Sequence, residues 1–235
     1  MSGEAVLIQS PTGRFVLING GPSPLRLSDS LGRRLPFFHR QLDYLIVSGP
    51  GEGKLDGLPR VVEQYPPGEV LWAGPSSADY GARRLRQVLE GQGVSITPAE
   101  TGQTLELGAG ANLHVLVAGK RGAVLLLEWG DFRALLPLGA NFEDLEALDY
   151  GREIGPVTAL LLAENGYTPS NPPEWIENLQ PQVVLLSVAL NDRDGRPDEA
   201  LLEALAGTTL LRTDQNRWIQ LSTDGEGFWV EVERR

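Results

Sequence analysis

Cysteine is absent from the 235 residues, and histidine occurs only twice. Without cysteine the chain can form no disulfide, thiolate zinc site or iron–sulfur cluster, and it has no cysteine nucleophile. Two histidines cannot supply the several imidazoles of a histidine-rich dinuclear zinc or iron centre. His114 lies in an alternating strand pattern and His39 in a basic segment, which favour packing and surface roles over metal ligation.

Long hydrophobic runs are absent as well. The longest, at 123–127, 159–163 and 183–190, are far shorter than the roughly 20 residues that span a bilayer. The first residues lack the basic and apolar regions of a signal peptide. Apolar residues make up 41% of the chain and charged residues 22%, as in ordinary globular proteins. Because no low-complexity linker divides it, we expect one domain over residues 1–235.

Positive charge is in deficit. The chain has 20 Lys and Arg against 31 Asp and Glu, a formal net charge of -11. This balance opposes a broad nucleic-acid face, because affinity for nucleic acid comes largely from cations that neutralise phosphates. One segment, 23–40, is a local exception, with Arg26, Arg33, Arg34 and Arg40. These four arginines are candidate DNA contacts.

Strand and helix patterns alternate along most of the chain. Strand-like runs include 5–9, 14–18, 42–47, 69–72, 123–129, 132–136, 157–162 and 183–190, and helical patterns include 58–64, 142–148, 173–179 and 197–205. A further helix is predicted from Ser77 or Asp79 to Glu90, and residues 23–40 read as a loop with a short helix. Hairpins in each half, with helices between other strands, predict two sheets packed face to face with helices outside.

Two loops approach known ligand motifs without completing them. Residues 48–55 are Gly-rich and lie between a strand and a helix, but Ser48 and Leu55 stand where a phosphate-binding loop needs glycine and a hydroxyl residue. Residues 192–195 are a fragment of a calcium loop that lacks the glutamate at its twelfth position. Both are more simply explained as polar loops.

The order of segments resembles the metallo-β-lactamase fold, and specifically the soluble C-terminal domain of ComEC-type DNA-uptake competence proteins. The resemblance covers most of the chain and is carried by Gly3–Ile8, Val16–Pro22, Leu42–Ser48, Trp129–Leu136, Pro181–Val188, Arg212–Asp214 and Thr223–Gly225. It implies a four-layer αββα sandwich. In active members of the fold, an H-x-D-x-D-H loop and further His and Asp residues hold one or two metal ions that activate water.

The resemblance places other residues at each ligand position that can be aligned. Gly49, Gly51, Gly53 and Lys54 occupy the positions of the first loop's ligands, and Asn19 replaces an earlier Asp. The later ligand positions are taken by Ala140, by Glu164 and Asn165, and by Arg196. Glycine has no donor atom, and Lys54 and Arg196 would put positive charge where a dication should lie. The resemblance therefore implies a degenerate, metal-free site with no catalytic residue and no cofactor.

Three functions follow as expectations. The first is a catalytically inactive domain with an interaction or scaffold role in DNA uptake, whose partners are DNA or the membrane channel part of a longer parent protein. Since only Met1 and Ser2 precede Gly3, the chain looks like a piece of that parent, tethered to a bacterial membrane. The second is a metal-dependent hydrolase or nuclease that uses Glu52 and Glu164. The third is a DNA- or phosphate-binding module that uses the basic segment, or Lys54 and Arg196 as an anion site.

If the site is degenerate, Glu52 and Glu164 are expected to form ion pairs with Lys54 and Arg196 instead of binding metal.

Overall fold

A computed structural model describes residues 3–51, 53–140 and 142–233. Its first sheet has the strand order β1-β2-β3-β4-β5, from Val6–Gln9, Phe15–Ile18, Leu42–Val47, Pro67–Trp72 and Ser95–Pro98. Strands β1 and β2 are antiparallel, and the pairs from β2 to β5 are parallel.

The second sheet has seven strands in the order β12-β11-β10-β9-β8-β7-β6. Their ranges are Thr104–Gly108 (β6), Ala111–Ala118 (β7), Ala123–Trp129 (β8), Phe132–Leu136 (β9), Ala159–Leu161 (β10), Val183–Leu186 (β11) and Leu210–Arg212 (β12). The pairs from β6 to β9 are antiparallel and those from β9 to β12 are parallel. A hairpin of β13 (Ile219–Thr223) and β14 (Phe228–Val232) completes the strands.

Helices cover the outer faces of both sheets. Those on the first sheet are α1 (Pro24–Arg34), α2 (Leu58–Gln64) and α3 (Tyr80–Gly91), and those on the second are α4 (Phe142–Ala147), α5 (Pro173–Leu179) and α6 (Glu199–Ala204). The short helix α7 spans Thr213–Asn216, and single 3-10 turns span Asp149–Gly151 and Thr168–Ser170. In the described part of the chain, no helix has the length and apolar character needed to cross a membrane.

Apolar runs in the sequence become strands that are buried on both faces. In β2, Phe15 and Leu17 pack under the helices, whereas Val16 and Ile18 face the second sheet. A strand between a helical layer and another sheet has no solvent face, so its sequence reads as continuously apolar. The predicted four-layer αββα sandwich is therefore confirmed.

The starts of two helices and one hairpin turn can be compared with the boundaries that the sequence predicted. Helix α3 begins after Asp79, whose carboxylate accepts the Ala82 amide at 2.7 Å, so the later of the two predicted starts is correct. The turn at Gly130-Asp131 also forms, since Trp129 pairs with Phe132. Residues 23–40 form a helix followed by a loop, as predicted, although the helix is longer than the sequence suggested. Helix α1 has 11 residues because Ser23 and Pro24 start it and Leu27 and Leu31 bury one face.

Candidate functional site

The loops that the resemblance marks as a former metal centre meet at one edge of the sandwich. They follow β3, β9, β10 and β11, each of which is parallel to at least one neighbouring strand. The carboxyl ends of parallel strands lie at the same edge of a sheet, so the loops that leave them converge. The Lys54 ammonium, in the loop after β3, donates a hydrogen bond to the Leu138 carbonyl after β9. Ser187 Oγ, after β11, donates to the carbonyl of Gly3 in the segment before β1, at 2.9 Å.

Main chain fills the space around Gly49. A Cβ atom at this residue would lie 2.4 Å from the Arg121 carbonyl oxygen and 2.9 Å from Gly122 Cα. At Gly139 a Cβ would lie 2.4 Å from Gly122 Cα. Two main-chain hydrogen bonds join these three segments. The Ala123 amide donates to the Ser48 carbonyl at 2.6 Å, and the Gly139 amide donates to the Ala123 carbonyl at 3.0 Å. No side chain, and therefore no imidazole, fits at position 49 without moving backbone.

Lys54 carries positive charge into the same edge. Besides its bond to Leu138, its ammonium lies 3.7 Å from a carboxylate oxygen of Glu4, and the two side chains are only 19% and 6% exposed. Burial raises the pKa of Glu4 above its ordinary value, the Lys54 charge opposes that rise, and the Glu164 charge adds to it. The result is a nearly buried ion pair that links the loop after β3 to the chain entering β1.

Ala140 and Asn19 have structural roles. Ala140 is buried in the apolar core between the second sheet and its helices, so the position offers a methyl group instead of a carboxylate. Asn19 is fully buried and exchanges two hydrogen bonds with Ser48: its side-chain amide donates to Ser48 Oγ at 2.8 Å, and its carbonyl oxygen accepts the Ser48 amide at 3.0 Å. These contacts fix the first residue of the Gly-rich loop.

Glu164 and Asn165 occupy a tightly turned loop after β10. Both have positive φ, 46° and 55°, which non-glycine residues adopt at a cost. The turn is held because Glu164 accepts a hydrogen bond from Ser170 Oγ at 2.9 Å and Asn165 Nδ2 donates to Ser187 O at 2.6 Å. Asn171, 1% exposed, also bonds to the Ala163 amide and carbonyl.

Arg196 is engaged by neighbours on its own loop and the preceding one. Its guanidinium pairs with the Asp198 carboxylate and lies 4.1 Å from the centre of the Tyr167 ring. The Thr168 amide and, to a lesser extent, Arg196 hold the pKa of Asp198 below its ordinary value. Arg196 is thus part of a local ion pair with an aromatic cover.

Lys54 and Arg196 both form ion pairs, but with carboxylates other than the predicted ones. The sequence argument chose Glu52 and Glu164 as partners for Lys54 and Arg196, but the partners observed are Glu4 and Asp198. Glu52 lies outside the described residues. Each cation is already neutralised by a carboxylate, so the geometry weakens the case for an anion site at Lys54 and Arg196, which stays a prediction.

Glu4 and Asn171 were missed by sequence reasoning. A signal for Glu4 was available, since it is an acid immediately before an apolar strand in a stretch that carries the family resemblance. Asn171 gave no such signal, because its bonds to Ala163 depend on the tertiary path of the loop.

The basic segment does not join this site as one surface. Arg26 lies in the first turn of α1, whereas Arg33 and Arg34 end the helix and Arg40 precedes β3. Strand β3 separates Arg40 from the Gly-rich loop by six residues, about 20 Å of extended chain. Arg33 pairs with Asp29 at 3.0 Å, and the Arg34 guanidinium lies 4.6 Å from the Trp218 ring centre.

The donor set does not fit the metal centre that the fold would otherwise imply. Among residues 3–51, 53–140 and 142–233, no group of three or more His, Cys, Asp or Glu side chains is arranged to hold a metal ion. Gly49 has no room for a ligand, Lys54 supplies a cation and Ala140 belongs to the core. We therefore derive no reaction step through a metal.

No protein-family model matches the chain, and no curated protein matches it in sequence. Similar solved structures exist. The metallo-β-lactamase-fold protein YhfI from Bacillus subtilis has a TM-score of 0.63 at 12% identity, covering 98% of this chain and 92% of that chain. Zinc-bound PqqB from Methylobacterium extorquens has a TM-score of 0.59 at 12% identity, covering 90% and 85%.

A variant of the CmlA β-hydroxylase has a TM-score of 0.61 at 15% identity and covers 90% of this chain. The chain spans about half the length of that protein, 51%. At these identities the likeness establishes the metallo-β-lactamase fold for this chain.

A pair of glycine substitutions tests the main-chain packing. Gly49 and Gly51 both have positive φ, 159° and 145°, so alanine is strained at either. Only at Gly49 does the new Cβ meet backbone; at Gly51 its neighbour is Lys54 Cδ at 3.7 Å. We expect Gly49→Ala to lower the free energy of unfolding by about 1–3 kcal/mol more than Gly51→Ala, measured by urea denaturation. Equal losses would show that the space at Gly49 is not filled.

The buried carboxyl of Glu4 should make stability depend on pH. Because its pKa is raised in the folded protein, the folded state binds more protons than the unfolded state above about pH 4.5. The free energy of unfolding should therefore fall as pH rises from about 4.5 through the raised pKa, and Glu4→Gln should remove that part of the fall.

Urea denaturation at a series of pH values measures this effect. Glu164→Gln is the matched variant: it removes the charge that helps to raise the pKa of Glu4, so its stability should fall less steeply than that of the original protein. Parallel pH curves for the original protein and Glu4→Gln would contradict the assignment.

Proposed function

We propose that this protein is a non-hydrolytic member of the metallo-β-lactamase fold, in which main-chain packing and an internal ion pair replace the metal centre. The observation that carries the proposal is the position of Gly49, where a Cβ would lie 2.4 Å from the Arg121 carbonyl oxygen. A ligand side chain could enter here only if the Gly-rich loop moved away from residues 121–122. Gly49 therefore lacks both a donor atom and the space in which a ligand side chain could lie.

Charge supports the same conclusion. The Lys54 ammonium reaches the Leu138 carbonyl and the Glu4 carboxylate, so it lies among groups that could otherwise attract a dication. A dication in this place would be repelled by the ammonium and would have to separate it from Glu4. Removing one partner of a buried ion pair costs about 3–5 kcal/mol, so a dication that displaced Lys54 from Glu4 would bind at a free-energy cost.

The role proposed for the domain is interaction or scaffolding in bacterial DNA uptake, as part of a ComEC-like system. The order of segments that resembles ComEC-type C-terminal domains supports this role. The proposed partners are DNA or the membrane channel part of the parent protein. Loops that are held together without a metal would provide a fixed surface for such a partner.

Metal analysis tests the non-hydrolytic assignment. After incubation with Zn²⁺ or Mn²⁺ and dialysis, we expect far less than one metal ion per chain by elemental analysis, and no metal-dependent cleavage of bis-p-nitrophenyl phosphate or DNA. Lys54→Ala should not gain metal, because Gly49 remains packed against backbone. Stoichiometric metal together with cleavage that is lost in Glu52→Ala or Glu164→Ala would establish the nuclease alternative.

Natural transformation tests the role in DNA uptake. We expect deletion of the chain in the source bacterium to lower transformation frequency, and complementation with the original chain or with Glu164→Ala to restore it, because a scaffold does not need the carboxylate. Normal transformation of the deletion strain would remove the DNA-uptake role. Failure of a folded Glu164→Ala protein to complement would argue for a catalytic role of that carboxylate.

A further inference from the structure

Two adjacent phenylalanines project from the loop between α1 and β3. Phe37 and Phe38 are 82% and 90% exposed. They occupy the two central positions of a turn that is closed by a hydrogen bond from the His39 amide to the Pro36 carbonyl at 2.7 Å. We call residues 36–40 the aromatic tip. Single exposed apolar residues are common on protein surfaces, but two neighbouring, almost fully exposed phenylalanines indicate a contact surface.

The aromatic tip is anchored to the fold. The His39 ring packs on Phe15 of β2 with ring centres 4.6 Å apart, and the chain then enters β3 at Leu42. On the other side, the Leu35 amide ends α1 by donating a hydrogen bond to the Leu31 carbonyl at 2.8 Å. The two phenylalanines are thus presented by a turn that is held at both ends.

The segment that carries the tip is basic in an acidic protein. Residues 23–40 contain four arginines and one acid, Asp29, whereas the whole chain has a net charge of -11. Arg33 and Arg40 are exposed on either side of the two phenylalanines in sequence. Arg33 also pairs with Asp29 at 3.0 Å, but both side chains are more than half exposed, and solvent screening makes such a surface pair weak. Exposed aromatic side chains flanked by arginine are suited to the interface of an anionic membrane, where rings enter the headgroup region and cations pair with lipid phosphates.

We infer that the aromatic tip docks onto an anionic lipid bilayer, with Phe37 and Phe38 inserted among the headgroups and Arg33 and Arg40 on lipid phosphates. This surface lies at the opposite end of β3 from the Gly-rich loop. Docking would therefore leave the edge that carries Lys54 accessible. The inference does not depend on the proposed function, and either can fail alone.

The ring geometry favours a bilayer over single-stranded DNA. Phe37 and Phe38 meet at 85° with centres 5.0 Å apart, so the edge of one ring is directed at the face of the other. Successive bases stack on ring faces, which this edge-on pair does not offer as a parallel set. A bilayer requires an apolar surface at the right depth and only a small basic contact. A bound DNA strand, in contrast, would extend over the rest of an acidic surface.

Vesicle co-sedimentation of the full chain tests the inference. We expect binding to phosphatidylcholine vesicles that contain phosphatidylglycerol and little binding to phosphatidylcholine alone. Phe37→Ser with Phe38→Ser should weaken binding roughly 30-fold or more. Arg33→Glu with Arg40→Glu should weaken it by a similar factor, and added salt should weaken binding by the original protein.

Two controls match the variants in kind. Trp229→Ser removes another exposed aromatic side chain, and Arg83→Glu with Arg84→Glu reverses two exposed arginines on α3; each should leave vesicle binding within about twofold. Unchanged thermal unfolding of all variants confirms that they fold. No binding to anionic vesicles, or equal binding by the tip variants, would overturn the inference. Binding of oligothymidylate that depends on the tip, without vesicle binding, would instead assign it to nucleic acid.

Discussion

Close contact between main-chain segments joins the loop edges of the two sheets, and the character of the candidate site follows from it. Gly49, Gly122 and Gly139 bring the chain after β3, before β8 and after β9 within contact distance. Such contact requires the absence of Cβ atoms, and it places hydrogen bonds such as Ala123 N to Ser48 O at the centre of the edge. In this chain the three loops are held directly together by main-chain contact.

The Lys54–Glu4 pair is the electrostatic counterpart of that packing. A lysine with 19% of its side chain exposed would be costly without a partner, and it has both a carbonyl and a carboxylate. The carboxylate is itself desolvated, which raises its pKa, and the charge and hydrogen bond of Lys54 oppose that rise.

The two ends of the molecule have different chemistry. At the carboxyl ends of the parallel strands, glycines, buried amides and paired charges make a closed edge. At the start of β3, Phe37 and Phe38 are exposed among arginines and no described side chain covers them. The exposed aromatic and basic end thus differs in chemistry from the closed edge of a protein whose net charge is -11.

The sequence by itself determined the layered fold, because hairpins in each half alternate with strand–helix units, and Asp79 and Gly130-Asp131 gave correct local boundaries. It also placed glycine, lysine and alanine where ligands were expected. Tertiary structure decided the rest. That Gly49 meets Arg121, that Lys54 pairs with Glu4 and that Ala140 is a core residue are contacts between segments 50 to 90 residues apart or between layers. Such contacts depend on how loops from different strands converge in space. The local sequence pattern carries no information about which distant segments meet.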